Sequence, residues 1–255
     1  MAGLVGPLFS LTGILLIVAT LVRQNYMFKI QQLETKYFEL IKIHRDNVNN
    51  WKKLTSTGTW TGSQVVMEVY NELGVILSIL DYLCETHQIK LDENDKGGMA
   101  YTILYFGIGE KSSPILKNYF ERNYKVISAS DVNWIINELQ RLKISTSENS
   151  YRFDGHQIRL GHYYRHLYQT VKYVDSQEYL KHSEKYTYIK TLRAQLTTFE
   201  QSLLFFNSLS ILGKNWKNFM EVYQLIKNLP PEFTFGIEPK RIYSKIGFEY
   251  EETRE

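Results

Sequence analysis

The sequence predicts an all-α protein, with an N-terminal transmembrane helix continuing into a cytoplasmic multi-helix domain. Three observations predict it. Residues 4–22, LVGPLFSLTGILLIVATLV, run for nineteen positions without a charge. Five prolines in 255 residues leave long segments without a breaker, which favours helices over a sandwich of short strands. Apolar residues recur at three- and four-residue steps through most of the remaining chain, the period of an amphipathic helix.

The uncharged segment would span about 28 Å as a helix, close to the thickness of a bilayer's hydrocarbon core. Pro7 sits near its start, where a missing amide donor matters least. No Lys or Arg precedes it, whereas Arg23 and Lys29 follow, so the positive-inside rule places the N-terminus outside and the bulk of the chain in the cytoplasm. A cleaved signal peptide would want a basic start and a small-x-small cleavage site, and both are poor here. Gly3, Gly6, Ser10 and Gly13 give small residues at three- or four-residue spacing, which permits close packing of such helices.

Beyond the membrane, residues 26–51 carry Phe28, Leu33, Tyr37, Leu40, Ile41, His44 and Val48 on one helical stripe. LTSTGTWTGSQ then reads as a break, with Ser63 placed to cap a helix whose apolar side runs from Val66 to Cys84. LDENDKGG reads as a loop, followed by short helices at 99–107 and 114–124. Asp131 is placed to cap 132–142, and 145–154 is a polar, variable loop. Helices follow at 157–174, 179–196, 199–212 and 216–229, with stops at Gly213 and Pro230-Pro231. The tail from Glu232 reads as irregular. The domain expectation is thus an anchor over 1–25, a helical domain over 26–230 and a tail over 231–255.

Composition narrows the chemistry. Apolar residues make up 44% of the chain, enough for one well-filled core, and 14% are aromatic. The net charge of +3 is spread without one-sign blocks and suits an anionic inner leaflet or contact with RNA. A single cysteine, Cys84, cannot make an internal disulfide, which fits a reducing compartment. There is no phosphate-cradling P-loop, Rossmann glycine pattern, paired CxxC or HExxH, and no cofactor is expected. The glycines of LYFGIGEKSSP fit a plain turn, and DENDKGG lacks the glutamate that would complete a calcium loop.

The chemistry-bearing segment is RLGHYYRHLYQTVKYVD, residues 159–175. On a helix Arg159, His162 and His166 share one face, with Arg165 adjoining His166 and Tyr168 two residues on. Imidazoles move protons near neutral pH and guanidiniums hold a phosphate, so this group suits acid–base work on a phosphodiester. The Arg159-to-His166 spacing also fits the loose Arg-x(4–6)-His pattern of the all-helical HEPN ribonucleases. The competing reading makes both histidines hydrogen-bonded residues of an aromatic helix. His44, in HRDNVNN, falls on an apolar stripe and needs a partner such as Arg165 or His166. Arg193, Gln195, Glu200 and Asn207 form a third group, in which a capping box is the default role of Glu200.

Four segments in order, KYFELIKIHRDNVNNW, GHYYRHLYQTVKYVD, YTYIKTLRAQLTTFEQSLLFFNSLS and YQLIKNLP, resemble the phage abortive infection proteins. That AbiC-like family includes retron-associated membrane effectors. The resemblance implies a role in bacterial defence, in which an infected cell stops growing or dies before progeny phage emerge. Its motif positions fall on His44, Arg45 and Asn47; on His162, Arg165, His166 and Tyr168; and on Arg193, Gln195, Glu200 and Asn207. Membrane-bound members often carry two N-terminal spans, and only one is visible here.

Three expectations of function follow. In the first, the anchor oligomerises or rearranges on an infection signal and the inner membrane leaks. In the second, the chain is a tethered, metal-independent ribonuclease using Arg159 or Arg165 with His162 and His166, and RNA is its partner. In the third, it is a sensor or scaffold that recruits another defence protein or a retron reverse transcriptase–RNA complex.

Overall fold

The computed structural model describes residues 2–55, 58–145 and 152–252, with the side chains of 2–5 and 252 outside the description. The described residues are predominantly helical, as expected. It divides into two units, residues 1–43 and 44–255, and the division falls within the first helix.

Helix α1 (Ala2–Asn49) begins as the apolar segment. It is long and apolar enough to cross a membrane, and its apolar stretch from Gly6 is exposed. Leu8, Phe9, Ile14, Leu16 and Val22 are all more than half exposed. The hydroxyls of Ser10, Thr12 and Thr20 donate back to carbonyls one turn earlier, at 3.1, 2.8 and 2.7 Å. These polar side chains therefore need no partner from a hydrocarbon surrounding. Around Gly6 and Gly13 no atom lies within 4 Å of where a Cβ would stand. Leu33, Tyr37 and Ile41 of the expected stripe are buried, whereas Phe28 is exposed.

In the second unit the expected break contains a β-hairpin, β1 (Lys52–Thr55) and β2 (Gly58–Thr61), pairing Lys52 with Thr61 and Thr55 with Gly58. Helix α2 (Ser63–His87) follows, with Gly62 rather than Ser63 at its cap position. This helix also has the length and composition of a membrane span, but its apolar face is core: Val66, Leu73, Leu77 and Leu80 are buried. LDENDKGG is helix, not loop. Asp92 caps α3 (Glu93–Phe106) by accepting from the Asp95 amide at 2.7 Å.

Helices α4 (Ser113–Asn123) and α5 (Ala129–Ser145) come next. Asp131 lies inside the first turn of α5, accepting from the Ser128 amide at 3.0 Å and from His87 at 2.6 Å, instead of capping it. Most of the expected variable loop falls on 146–151, outside the described residues. Helices α6 (Gln157–Asp175), α7 (His182–Arg193), α8 (Thr198–Leu209) and α9 (Trp216–Tyr223) complete the body. Helix α8 is the central one, buried from Glu200 to Leu209 and packed against α2 and α3.

The tail is not simply irregular. It carries two short helices, α10 (Pro239–Ile242) and α11 (Glu249–Glu252), and Ile237, Tyr243, Ile246 and Phe248 are buried. Tyr243 donates to Ser208 of α8 at 2.8 Å, and Phe235 stacks on Tyr70 of α2 with centroids 4.6 Å apart. Gly74 leaves room for that ring, since a Cβ there would lie 2.6 Å from it.

The turn after α3 sets the approach to the site. Gly107 adopts φ +74°, and a Cβ there would lie 2.3 Å from the backbone of Asp154 and Gly155. This close approach lets His156 N donate to the Leu104 carbonyl and Ile108 N to the Phe153 carbonyl, tying the start of α6 to α3. Gly107→Ala is expected to cost about 3 kcal/mol, from the left-handed backbone and the collision together. In thermal unfolding of the full chain in detergent micelles that corresponds to a drop of roughly 6–12 °C. An unchanged melting temperature would mean the two segments are not pinned here.

Candidate functional site: a cationic cleft along α6

Helix α6 has an inner and an outer side. Leu160, Tyr163, Tyr164, Leu167 and Val171 are buried, while His162 and Arg165 are exposed. The phenol of Tyr163 fixes this orientation by donating to Glu200 Oε1 at 2.9 Å. The other oxygen of Glu200 accepts from the Thr197 amide and hydroxyl, both at 2.8 Å, completing the capping box of α8. Burial, reinforced by the Glu200 charge, pushes the Tyr163 hydroxyl well above its ordinary range, so it stays a donor.

The last turns of α1 bring His44 against this helix. Its ring lies 4.7 Å from Tyr163 and stacks 6.5 Å from His166, which in turn stacks 6.5 Å from His162. Three imidazoles thus grade from interior to solvent. His44 is 1% exposed, and neither ring nitrogen has a hydrogen-bond partner among the described residues. Burial, then the neighbouring His166, pulls it down to about 4. Burial, then His162, holds the half-buried His166 below its usual range. His44 is therefore a neutral ring near pH 7.

Outside this column a cleft of about 560 Å³ opens between the end of α1, α3 and α6. Asn47, Tyr105, Arg159, His162 and Arg165 line it, with Trp51 in its wall. A smaller cleft of about 260 Å³ adjoins it, lined by Tyr168, Asn207 and Gly213 and sharing Tyr105, Gly161 and Arg165. Gly161 permits the junction, because a Cβ there would lie 2.8 Å from the Tyr105 hydroxyl. Gly213 is equally constrained, since its Cβ would lie 2.0 Å from the Asn207 carbonyl oxygen. Arg159 is aimed by its own contacts. It donates to the Lys52 carbonyl at 3.0 Å and lies 3.5 Å from His156 Nδ1, while His156 pairs with buried Glu72 at 3.3 Å.

The sequence-derived candidates therefore separate. Asn47, Arg159, His162 and Arg165 share the main cleft, and Tyr168 and Asn207 the adjoining one. His44, buried, and His166, half-buried, stack on each other and line neither cleft. Arg45 and Gln195 are exposed and line neither cleft. Arg193 is engaged elsewhere, donating to the Gln224 carbonyl at 2.7 Å, where α9 ends in a left-handed residue. Tyr105 and Trp51 were missed. Trp51 directly follows HRDNVNN, and Tyr105 lies in LYFGIGEK, where the glycines drew attention instead.

The fold and site together define an all-helical protein with an apolar N-terminal helix and a cationic cleft on its body. Residues 155–234 match the model of the family described as "Putative phage abortive infection protein", the family named by the resemblance. The match covers α6 through α9 and takes in Arg159, His162, Arg165, His166, Tyr168, Arg193, Gln195, Glu200 and Asn207. No curated protein and no solved structure matches the chain.

Because the unfolded imidazole of His44 titrates near 6.5 and the folded one near 4, the unfolded state binds the extra proton first. Stability is therefore expected to be full above about pH 6.5 and to fall as pH drops toward 4, by at most about 3 kcal/mol from this residue. His44→Phe removes two unpartnered buried nitrogens and should raise the melting temperature at pH 5 more than at pH 7.5. His166, of the same sign, leaves a smaller slope behind. A variant as acid-sensitive as the parent would show that His44 does not carry the effect.

Proposed function

We propose that this protein is a membrane-anchored effector of bacterial abortive infection that disrupts the inner membrane when phage is sensed. The anchor lies with its N-terminus outside and the helical body in the cytoplasm, and it acts as a homo-oligomer. The observation that carries the reading is the exposed apolar helical surface from Gly6 to Val22. Arg23 and Lys29 at its end support the orientation, since cationic side chains are retained on the cytoplasmic side. The open flanks of Gly6 and Gly13 support close approach of a second copy, because backbone contact between membrane helices relies on small residues. The family match over residues 155–234 supports the abortive infection role of the body.

The test is inner-membrane depolarisation, read with a potential-sensitive dye in cells expressing the chain, with and without phage. Depolarisation is expected within the infection cycle. It should persist in Arg165→Gln in cells that express the protein strongly enough not to need a trigger. Replacing residues 1–22 with an unrelated single-span anchor should abolish depolarisation and killing while membrane localisation is kept. Killing that survives the swap would overturn the reading, because the anchor would then set only an address.

A further inference from the structure

We infer that the paired clefts along α6 bind a mononucleotide, with its phosphates on Arg159, His162 and Arg165 and its base against Tyr105. This goes beyond the membrane reading, which assigns no ligand to the body.

The first argument is charge. Several surface cations elsewhere on the body have carboxylate partners: Arg141 with Glu138 at 2.9 Å, Arg241 with Glu238 at 2.7 Å, Lys245 with Glu221 at 3.2 Å and Lys240 with Glu251 at 3.0 Å. Arg165 has no carboxylate partner among the described residues, and none lines either cleft. A guanidinium beside a histidine and a second guanidinium, with no anion among them, is an electrostatic arrangement that an anionic ligand completes. Arg165 and Tyr105 line both clefts together, and the guanidinium favours the ionised form of the phenol against the larger opposing effect of burial.

The second argument is the remaining polar and aromatic lining. The side-chain nitrogen of Asn47 is buried without a hydrogen-bond partner among the described residues. Asn50 lines the same cleft and is exposed. Two amides beside a half-exposed tyrosine ring supply donors and acceptors for a base edge and a face for stacking.

The third argument limits the ligand's size. The clefts measure about 560 and 260 Å³, the scale of a small-molecule site. Arg159 and Arg165 are separated by about 9 Å along the helix axis, the reach of a short phosphate chain and its sugar. Past Arg159 the surface continues into a third cavity of mixed charge, lined by Glu110, Lys111 and Asp154, with Asp154 paired to Lys143.

The probes are the four ribonucleoside triphosphates and their monophosphates, with pyrophosphate and a short single-stranded RNA as comparators. Each is titrated calorimetrically into the full chain in detergent micelles. At least one nucleotide is expected to bind, with an affinity that falls as salt rises. Arg165→Gln should weaken it at least tenfold, while Arg122→Gln, an exposed arginine on α4, should leave it unchanged. Circular dichroism melting confirms that both variants are folded. Absence of binding by all eight nucleotides overturns the assignment, as does equal loss in the two variants. Pyrophosphate binding as tightly as any nucleotide overturns the nucleoside part, and cleavage of the RNA overturns the ligand role in favour of an active site. None of these readings depends on membrane depolarisation, so failure of one proposal is distinguishable from failure of the other.

Discussion

The carboxylate of Glu200 is the constraint on which the body depends. One of its oxygens closes the N-terminus of α8, the most deeply buried helix, and the other receives the phenol of Tyr163 from α6. A buried acid is costly unless its lone pairs are filled, and here three donors fill them. Because α6 is locked at Tyr163, its rotation is set. With 100° between successive residues, His162 and Arg165 fall about 60° apart on the outward side of the helix. The cationic cleft is thus a consequence of a core hydrogen bond, and it exists only while the inner tyrosines stay in.

The same lock explains the unusual state of His44. An imidazole with both nitrogens unpaired in the interior is a local conflict, more often found at functional positions than in inert cores. Its flat ring packs on Tyr163 and His166, so shape alone is served by an aromatic residue. Its neutrality has a second effect. A protonated ring there would place a buried positive charge behind a cleft already lined by two guanidiniums, and burial prevents it.

Much of the helical plan was legible, because α6, α8 and the core of α2 have apolar faces of the right period. The errors share a cause, in that local residue chemistry was outweighed by packing. Gly97 and Gly98 looked like breakers, yet both sit inside α3 because the chain of α8 passes too close for any side chain. A Cβ at Gly97 would lie 2.5 Å from Leu209 Cδ1, and one at Gly98 would lie 2.7 Å from the Leu209 carbonyl oxygen. The hairpin was hidden in a Thr- and Gly-rich stretch, although threonine at alternate positions from 55 to 61 is itself a strand signal. Helix α9 ends at Tyr223 because Gln224 turns left-handed and gives its carbonyl to Arg193, thirty-one residues distant in sequence. No local pattern reports such a partner. The same holds for the tail, whose aromatic residues find their places only against α2 and α8.

The cleft itself was half legible. The sequence put Arg159, His162, Arg165 and His166 on one helix, and a helix repeat brings positions 159 and 166 to nearly the same angle. A ribonuclease would need both on one phosphodiester. In the fold Arg159 spends one arm of its guanidinium on the Lys52 carbonyl, while His166 stacks on His44 and lines neither cleft. The two histidines of the sequence pattern are therefore divided: His162 stays in the cleft with Arg159 and Arg165, while the half-buried His166 stacks on His44. What stays together is two guanidiniums and an imidazole with amide and aromatic neighbours, the set on which the proposed anionic ligand depends.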